Sequence, residues 1–273
     1  MLEEIKYINH MNETLEVNSP KLFVQNNDLH NYSWSVNSKN DRISGFKRGV
    51  SSKSITIVVK GETESECFDI CNKLFSIMEK DTLAVKPGKL FVGDYYLKCF
   101  VTESKKTEYQ RAQGYLKTTV KIVTDVPFWI REVTTRFNRS SANVGTNLDY
   151  NRDFPYDYMS NALGTQLNNT GFVESNFRLI IYGACVNPRI TVAGHLYGAD
   201  VSVEANEYLT IDSINKTVIL THTDGSTENC FNQRIREPRV FDKMPAGLSN
   251  VSASSDFKFD IILLEERSEP KWT

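Results

Sequence analysis

Lys53-Ser54-Ile55-Thr56-Ile57-Val58-Val59-Lys60 and the segment that follows it, Thr63 to Lys80, decide the fold. The first is rich in β-branched residues, is bounded by Ser51-Ser52 and Gly61, and reads as a strand. In the second, Phe68, Cys71, Leu74, Phe75 and Met78 recur at helical spacing along one stripe. Glu62, Glu64, Glu66 and Asp69 crowd its first turns, where the helix dipole favours anions. Residues 63–80 are therefore expected to form one helix lying across a sheet.

Working outward, Pro87-Gly88 marks a turn, and Lys89–Val92 and Tyr95–Val101 read as a hairpin joined at Gly93-Asp94. Tyr115 to Val123 alternates, with Leu116, Thr118, Val120 and Ile122 on one face, until Asp125-Val126-Pro127 stops it. A first domain is expected to end near Arg131 and is assigned residues 1–133. From 137 to 176 the pattern fades into a connector carrying Tyr150, Phe154, Tyr156 and Tyr158 among aspartates. Disordered linkers are poor in aromatics, so an ordered, irregular segment is expected there. The second half, 134–273, returns to short strands at Phe177–Tyr182, Arg189–Ala193, Tyr208–Ile211, Thr217–Thr221 and Phe257–Leu264. No helical stretches separate them, which is the spacing of an antiparallel sandwich or jelly roll.

Composition bounds the function. At 273 residues the chain exceeds one ordinary domain of about 100–150 and fits two. Its 32 basic and 34 acidic residues leave a net charge of -2, so nothing in it draws the protein to nucleic acid or anionic lipid. The start, Met1-Leu2-Glu3-Glu4-Ile5-Lys6, lacks the basic leader of a secretory signal, and no run approaches the roughly 18 apolar residues of a membrane span. A soluble protein made in a cytoplasm is expected. Cysteines at 67, 71, 99, 185 and 230 have no scaffold spacing and read as reduced, mostly buried thiols. The six Asn-x-Ser/Thr sequons are what an Asn-rich chain makes by chance.

No complete catalytic constellation is visible. Cys67 and Cys71 lie one helical turn apart, but a structural metal site needs about four ligands, and the plain reading is two small core residues. His10, His30, His195 and His222 are scattered, none beside a Ser or Cys in a nucleophile pattern. No glycine-rich phosphate loop occurs, and neither cofactor nor metal is implied. Glu265 and Glu266 are adjacent at a strand end, point to opposite faces, and read as a solvated edge. Tyr150, Phe154, Tyr156 and Tyr158, with their neighbours Asp149, Asp153 and Asp157, form the candidate platform for stacking on a sugar ring. Lys47-Arg48 reads as a solvated turn or as a contact to another subunit.

The order of these segments resembles the distal tail proteins of phages infecting Gram-positive bacteria. The likeness rests on Gly45-Phe46-Lys47-Arg48-Gly49, Lys53–Ile57, the helix with Leu74-Phe75 and Glu79-Lys80-Asp81, and Pro87-Gly88-Lys89-Leu90. It continues through Gly93–Cys99, Asp125-Val126-Pro127-Phe128-Trp129, the Asp149–Tyr158 run, Tyr182-Gly183, Asn187–Ile190 and Ile211-Asp212-Ser213. It ends in Glu266-Arg267-Ser268-Glu269-Pro270-Lys271-Trp272. The resemblance implies a mainly β protein of two β-sandwich domains, the first with a single packed helix and the second a galectin-like jelly roll. It implies a non-enzymatic homo-hexameric ring at the virion tail tip, with the tail tube protein, the tape measure protein and a tail-associated lysin or adhesin as partners. Phe46, Lys47, Arg48, Trp129 and Trp272 become candidates for ring or partner contacts. A carbohydrate-binding adhesin of the host wall, using the second sandwich, is the alternative. The closing tail, with Pro270 ending the strand and the large ring of Trp272, is expected to pack against protein.

Overall fold

The computed structural model describes residues 4–110, 114–138, 166–254 and 257–272. The protein is mainly β with one α-helix, and it divides into two compact units: Met1–Arg131 with Glu266–Thr273, and Glu132–Glu265. The tail assigned above to the second half thus belongs with the first unit.

The first unit contains strands β1 (Ile5–Ile8), β2 (Thr14–Glu16), β3 (Asn18–Ser19), β4 (Leu22–Asn27), β5 (Ser35–Lys39), β6 (Arg42–Lys47) and β7 (Ser51–Lys60). Helix α1 (Glu64–Ala84) follows, then β8 (Gly88–Val92), β9 (Tyr95–Gln110), β10 (Tyr115–Thr124) and the start of β11 (Trp129–Phe137). Two antiparallel ladders share β9. Its first residues pair with β8, which continues through β1 to β2; its later residues pair with β10, which continues through β7 and β4 to β3. Two one-residue register shifts against β10 interrupt β9, and such bulges raise the local twist that lets one strand serve two sheets.

The core lies between these ladders and the helix. On β7 and β10 the directly opposed pairs are Val59 with Leu116, Ile57 with Thr118, Ile55 with Val120, and Lys53 with Ile122, so all eight residues share one face. That face is buried, and it carries the Lys53 side chain inward with the aliphatic residues. The β8–β9 turn is the two-residue Gly93-Asp94, with Gly93 at φ 55°, a left-handed position that glycine takes without Cβ strain.

Helix α1 is capped by the Thr63 side chain, which accepts from the Glu66 N–H, and ends with Val85 in the left-handed region. It runs four residues beyond the expected end. Its inner face is Cys67, Ile70, Cys71, Leu74, Ile77 and Met78, while Phe68 and Phe75 are 44% and 50% exposed. The expected stripe was anchored on the two large aromatics, and the buried stripe is rotated away from them. Small thiols and aliphatic residues fit against the sheet; Phe68 packs beside Tyr109 on the outside.

Near the helix end, the carboxylate of Asp81 is fully buried. Tyr7 Oη donates to its Oδ2 at 2.5 Å, the His10 backbone N–H donates to Oδ1 at 2.8 Å, and His10 Nδ1 lies 2.5 Å from the same oxygen. Burial, and then the charges and hydrogen bond around it, hold the Tyr7 phenol far above its ordinary value. Gly88 closes this cluster, since a Cβ there would stand 2.2 Å from Asp81 Oδ2 and 2.3 Å from Tyr7 Oη.

The second unit is an antiparallel sandwich built from β12 (Gln166–Asn169), β13 (Asn176–Tyr182), β14 (Cys185–Val186), β15 (Arg189–Val192), β16 (His195–Gly198), β17 (Ser202–Val203), β18 (Tyr208–Asp212), β19 (Thr217–Thr221), β20 (Thr227–Asn229), β21 (Gly247–Ala253) and β22 (Phe259–Arg267). One sheet has the order β20-β19-β18-β13-β22 and the other β12-β21-β15-β16. Phe177, Leu179 and Ile181 alternate inward on β13 and oppose Leu263, Ile261 and Phe259 of β22. Ile190, Val192 and Tyr197 face them from the second sheet, where Tyr197 meets Phe177 edge-on at 5.1 Å. Glu265, expected at a solvated edge, is 5% exposed, because its strand turns it inward to accept from Thr170 Oγ1 at 2.5 Å.

Candidate assembly surface

Several of the cysteine and histidine side chains have structural partners or surroundings. Burial pushes the Cys99 thiol up to about 12 and Cys71 up to about 11, so both remain neutral thiols near pH 7. Cys67 is 1% exposed in the core, as the plain reading of the Cys67 and Cys71 pair requires. Among the described residues no cluster of three His, Cys, Asp or Glu side chains has metal-binding geometry, and no helix is long and apolar enough to cross a membrane. His195 Nε2 lies 3.0 Å from the Arg239 carbonyl, and His222 Nδ1 lies 2.7 Å from Glu207 Oε1. The Glu207 hydrogen bond holds His222 above its ordinary value. An NMR titration of His222 is expected to show a midpoint above the roughly 6.5 of a free imidazole, falling back in Glu207→Gln. His222 is raised and Glu207 is lowered by the same hydrogen bond, so any stabilisation from this pair is lost as pH rises through the His222 midpoint and also as pH falls through that of Glu207.

The surface of the first unit is unusual at one place. Strands β5 and β6 pair only with each other among the described residues, and every residue of β5 is exposed. Asn40 and Asp41 both adopt positive φ, 51° and 57°, the backbone of a tight two-residue hairpin turn. Val36 opposes Phe46, and a one-residue shift at Ser44 brings Ile43 opposite Ser38, so Val36, Ile43 and Phe46 lie on one face. These three are 55%, 66% and 60% exposed. A lone hairpin is marginally stable in water, and an apolar face of this kind is the mark of a surface that meets another protein.

At the base of the hairpin, Arg48 is enclosed by aromatic rings. Its guanidinium carbon lies 4.9 Å from the Phe128 ring centre, 5.4 Å from Trp34 and 6.0 Å from Tyr32. Trp34 in turn meets Phe128 at 5.9 Å and Phe46 at 6.5 Å, both edge-on. Burial holds the Arg48 guanidinium below its ordinary value.

Of the sequence candidates, the structure thus brings Phe46 and Arg48 together, with Lys47 exposed between them. Trp129 is corrected. It is 1% exposed at the start of β11, inside the core, and has no surface to offer a partner; its neighbour Phe128 is the ring that reaches Arg48. Trp272 stacks on His30, with ring centres 3.7 Å apart and planes 18° apart, while remaining 68% exposed. Truncation after Arg267 is expected to lower the melting temperature of the first unit by a few degrees, about 1 kcal/mol for the lost stack. An unchanged melting curve would remove that role. Tyr150, Tyr156 and Tyr158 lie outside the described residues. The grouping of Tyr32 and Trp34 with Phe128 escaped the sequence reading because Phe128 lies far from the other two along the chain and meets them only in the folded unit.

No protein-family model matches the sequence, and neither does any curated protein. Solved structures do. SPP1 Dit (gp 19.1), described as a paradigm of the hub adsorption apparatus in Gram-positive infecting phages, is 9% identical, with a TM-score of 0.59 over 96% of this chain and 99% of that one. A chain of the phage P2 baseplate in its activated conformation, in its Ca and Sr structures alike, gives a TM-score of 0.64 at 12% identity, over 99% of this chain and 100% of that one. At such identities the shared property is the path of the backbone, and it is shared from end to end. This chain therefore has the fold of the Dit hub proteins of phage baseplates.

Proposed function

We propose that this chain is a structural subunit of a phage tail tip, a hexameric ring that joins the tail tube to a tail-associated adhesin or lysin and leaves a central opening for the tape measure protein. The observation that carries this reading is that the backbone likeness to a Dit hub protein and to a phage baseplate chain covers 96% and 99% of this chain. The surface of the first unit supports it. A cyclic ring needs two different complementary patches on each subunit, and the exposed apolar residues described in this unit include two such groups: Val36, Ile43 and Phe46 on the hairpin, and Phe68 and Phe75 on the outer face of α1. The role is one of assembly without catalysis, with the virion as its location and the host cytoplasm as its place of synthesis.

Electron microscopy of virions labelled with an antibody against this chain tests the reading: label at the tail tip is expected, and its absence from virions sinks it. Pull-down on purified host walls separates the adhesin alternative. Wall binding lost in Tyr156→Ala with Tyr158→Ala, with assembly intact, would favour the adhesin, and no wall binding by the intact protein removes it.

A further inference from the structure

Beside the hairpin, the first unit has a polar depression lined by Asp28, Tyr32, Arg48, Ser51 and Lys53. Lys53 is 6% exposed, because its place in the β7 alternation carries it to the core face opposite Ile122. Its Nζ donates to the Asp28 carbonyl at 3.3 Å, and no carboxylate stands within ion-pair distance of Lys53 or Arg48 among the described residues. The Asp28 carboxylate itself is engaged, accepting the Ser54 N–H at 2.7 Å, so two cations face one anion in the depression. Two further polar atoms are buried there without a partner, Arg48 Nη1 and Ser51 Oγ. Buried donors of this kind are nearly always satisfied, and leaving a charged one unpaired is costly.

We infer that this depression is a binding site for a carboxylate, held by Arg48, Lys53 and Ser51. The geometry selects the ligand class. Phe128, Trp34 and Tyr32 crowd around the guanidinium of Arg48, which leaves its N–H edge as the part free to bond. An edge-on guanidinium matches the planar, two-oxygen shape of a carboxylate. Lys53 supplies a second positive charge and the Ser51 hydroxyl a donor. Burial holds both Arg48 and Lys53 below their ordinary values, and for Lys53 the nearby Asp28 charge offsets this only in part. The carboxylate can be free in solution or can be an Asp or Glu side chain of a second copy; the site stands apart from the ring, and only the second source rests on it.

The test is a titration of the full chain with sodium acetate against sodium chloride at equal ionic strength, followed by amide and side-chain NMR. Saturable shifts of the Arg48 Nε–H and Trp34 indole N–H with acetate alone are expected, lost in Arg48→Gln and weakened in Lys53→Gln and Arg48→Lys. In parallel, sedimentation of the same proteins without acetate reads the second source: a tenfold or larger fall in association for Arg48→Gln, and dissociation of the wild type by acetate, place the carboxylate on a second copy. Acetate binding with association unchanged places it in solution. Circular dichroism keeps a misfolded variant from being counted, and Arg48→Lys retains the charge if Arg48→Gln does not fold. Identical shifts in acetate and chloride, together with unchanged association of all variants, overturn the site.

Discussion

Replacing Asp81 by alanine is expected to destabilise the first unit by about 3 kcal/mol, measured as a shift in the urea midpoint with no change in slope. Asp81 sits in the last turns of α1, where the helix dipole disfavours an anion, and it is fully buried. The carboxylate persists there because three groups hold it: the Tyr7 hydroxyl, the His10 backbone N–H and the His10 ring. Removing it leaves all three facing an apolar void beside Gly88. Tyr7→Phe removes only one of those bonds and is expected to cost about 1 kcal/mol. The cluster ties the first strand to the end of the helix, two elements more than 70 residues apart in sequence. A loss below about 1 kcal/mol for Asp81→Ala would show that the network contributes little.

The second large effect is on assembly. A triple variant, Val36→Ser, Ile43→Ser and Phe46→Ser, is expected to fold normally, because these side chains are already exposed in the single subunit. If subunit contacts cover them, losing the burial of one aromatic and two aliphatic side chains weakens association by about 4 kcal/mol, on the order of a thousandfold. Sedimentation at several concentrations measures this. Association equal to that of the wild type would remove the hairpin from the interface and leave the outer face of α1 as the remaining candidate.

Much of the fold was legible because periodicity reports directly on which face is buried. The β-branched run Lys53–Lys60 placed one strand, the alternation of Leu116, Thr118, Val120 and Ile122 placed its partner and that partner's inner face, and Gly93-Asp94 placed a hairpin. Where size competes with periodicity the reading was offset: Cys71, Leu74 and Met78 do face the core, but Phe68 and Phe75 drew the stripe partly outward, since a large ring is not always the one that fits against a sheet. Strand β9 was read only to Val101 because Lys105-Lys106 looks like a solvated loop; pairing with β10, not the apolar content of its own sequence, keeps it extended to Gln110. The short strands β1 to β3 gave too few residues for any period to register. The surface was less legible than the core. Trp129 and Phe128 are neighbours, and the sequence alone does not say which faces in, while the rings around Arg48 come from Tyr32, Trp34 and Phe128 and meet only in three dimensions.

The stoichiometry of the purified full chain, by native mass spectrometry across a concentration series, tests the central claim most directly. A closed six-subunit species that grows with concentration, with no open-ended series of larger assemblies, is the predicted result. A protein that remains strictly monomeric at every concentration, and that is missing from purified virions, would contradict it.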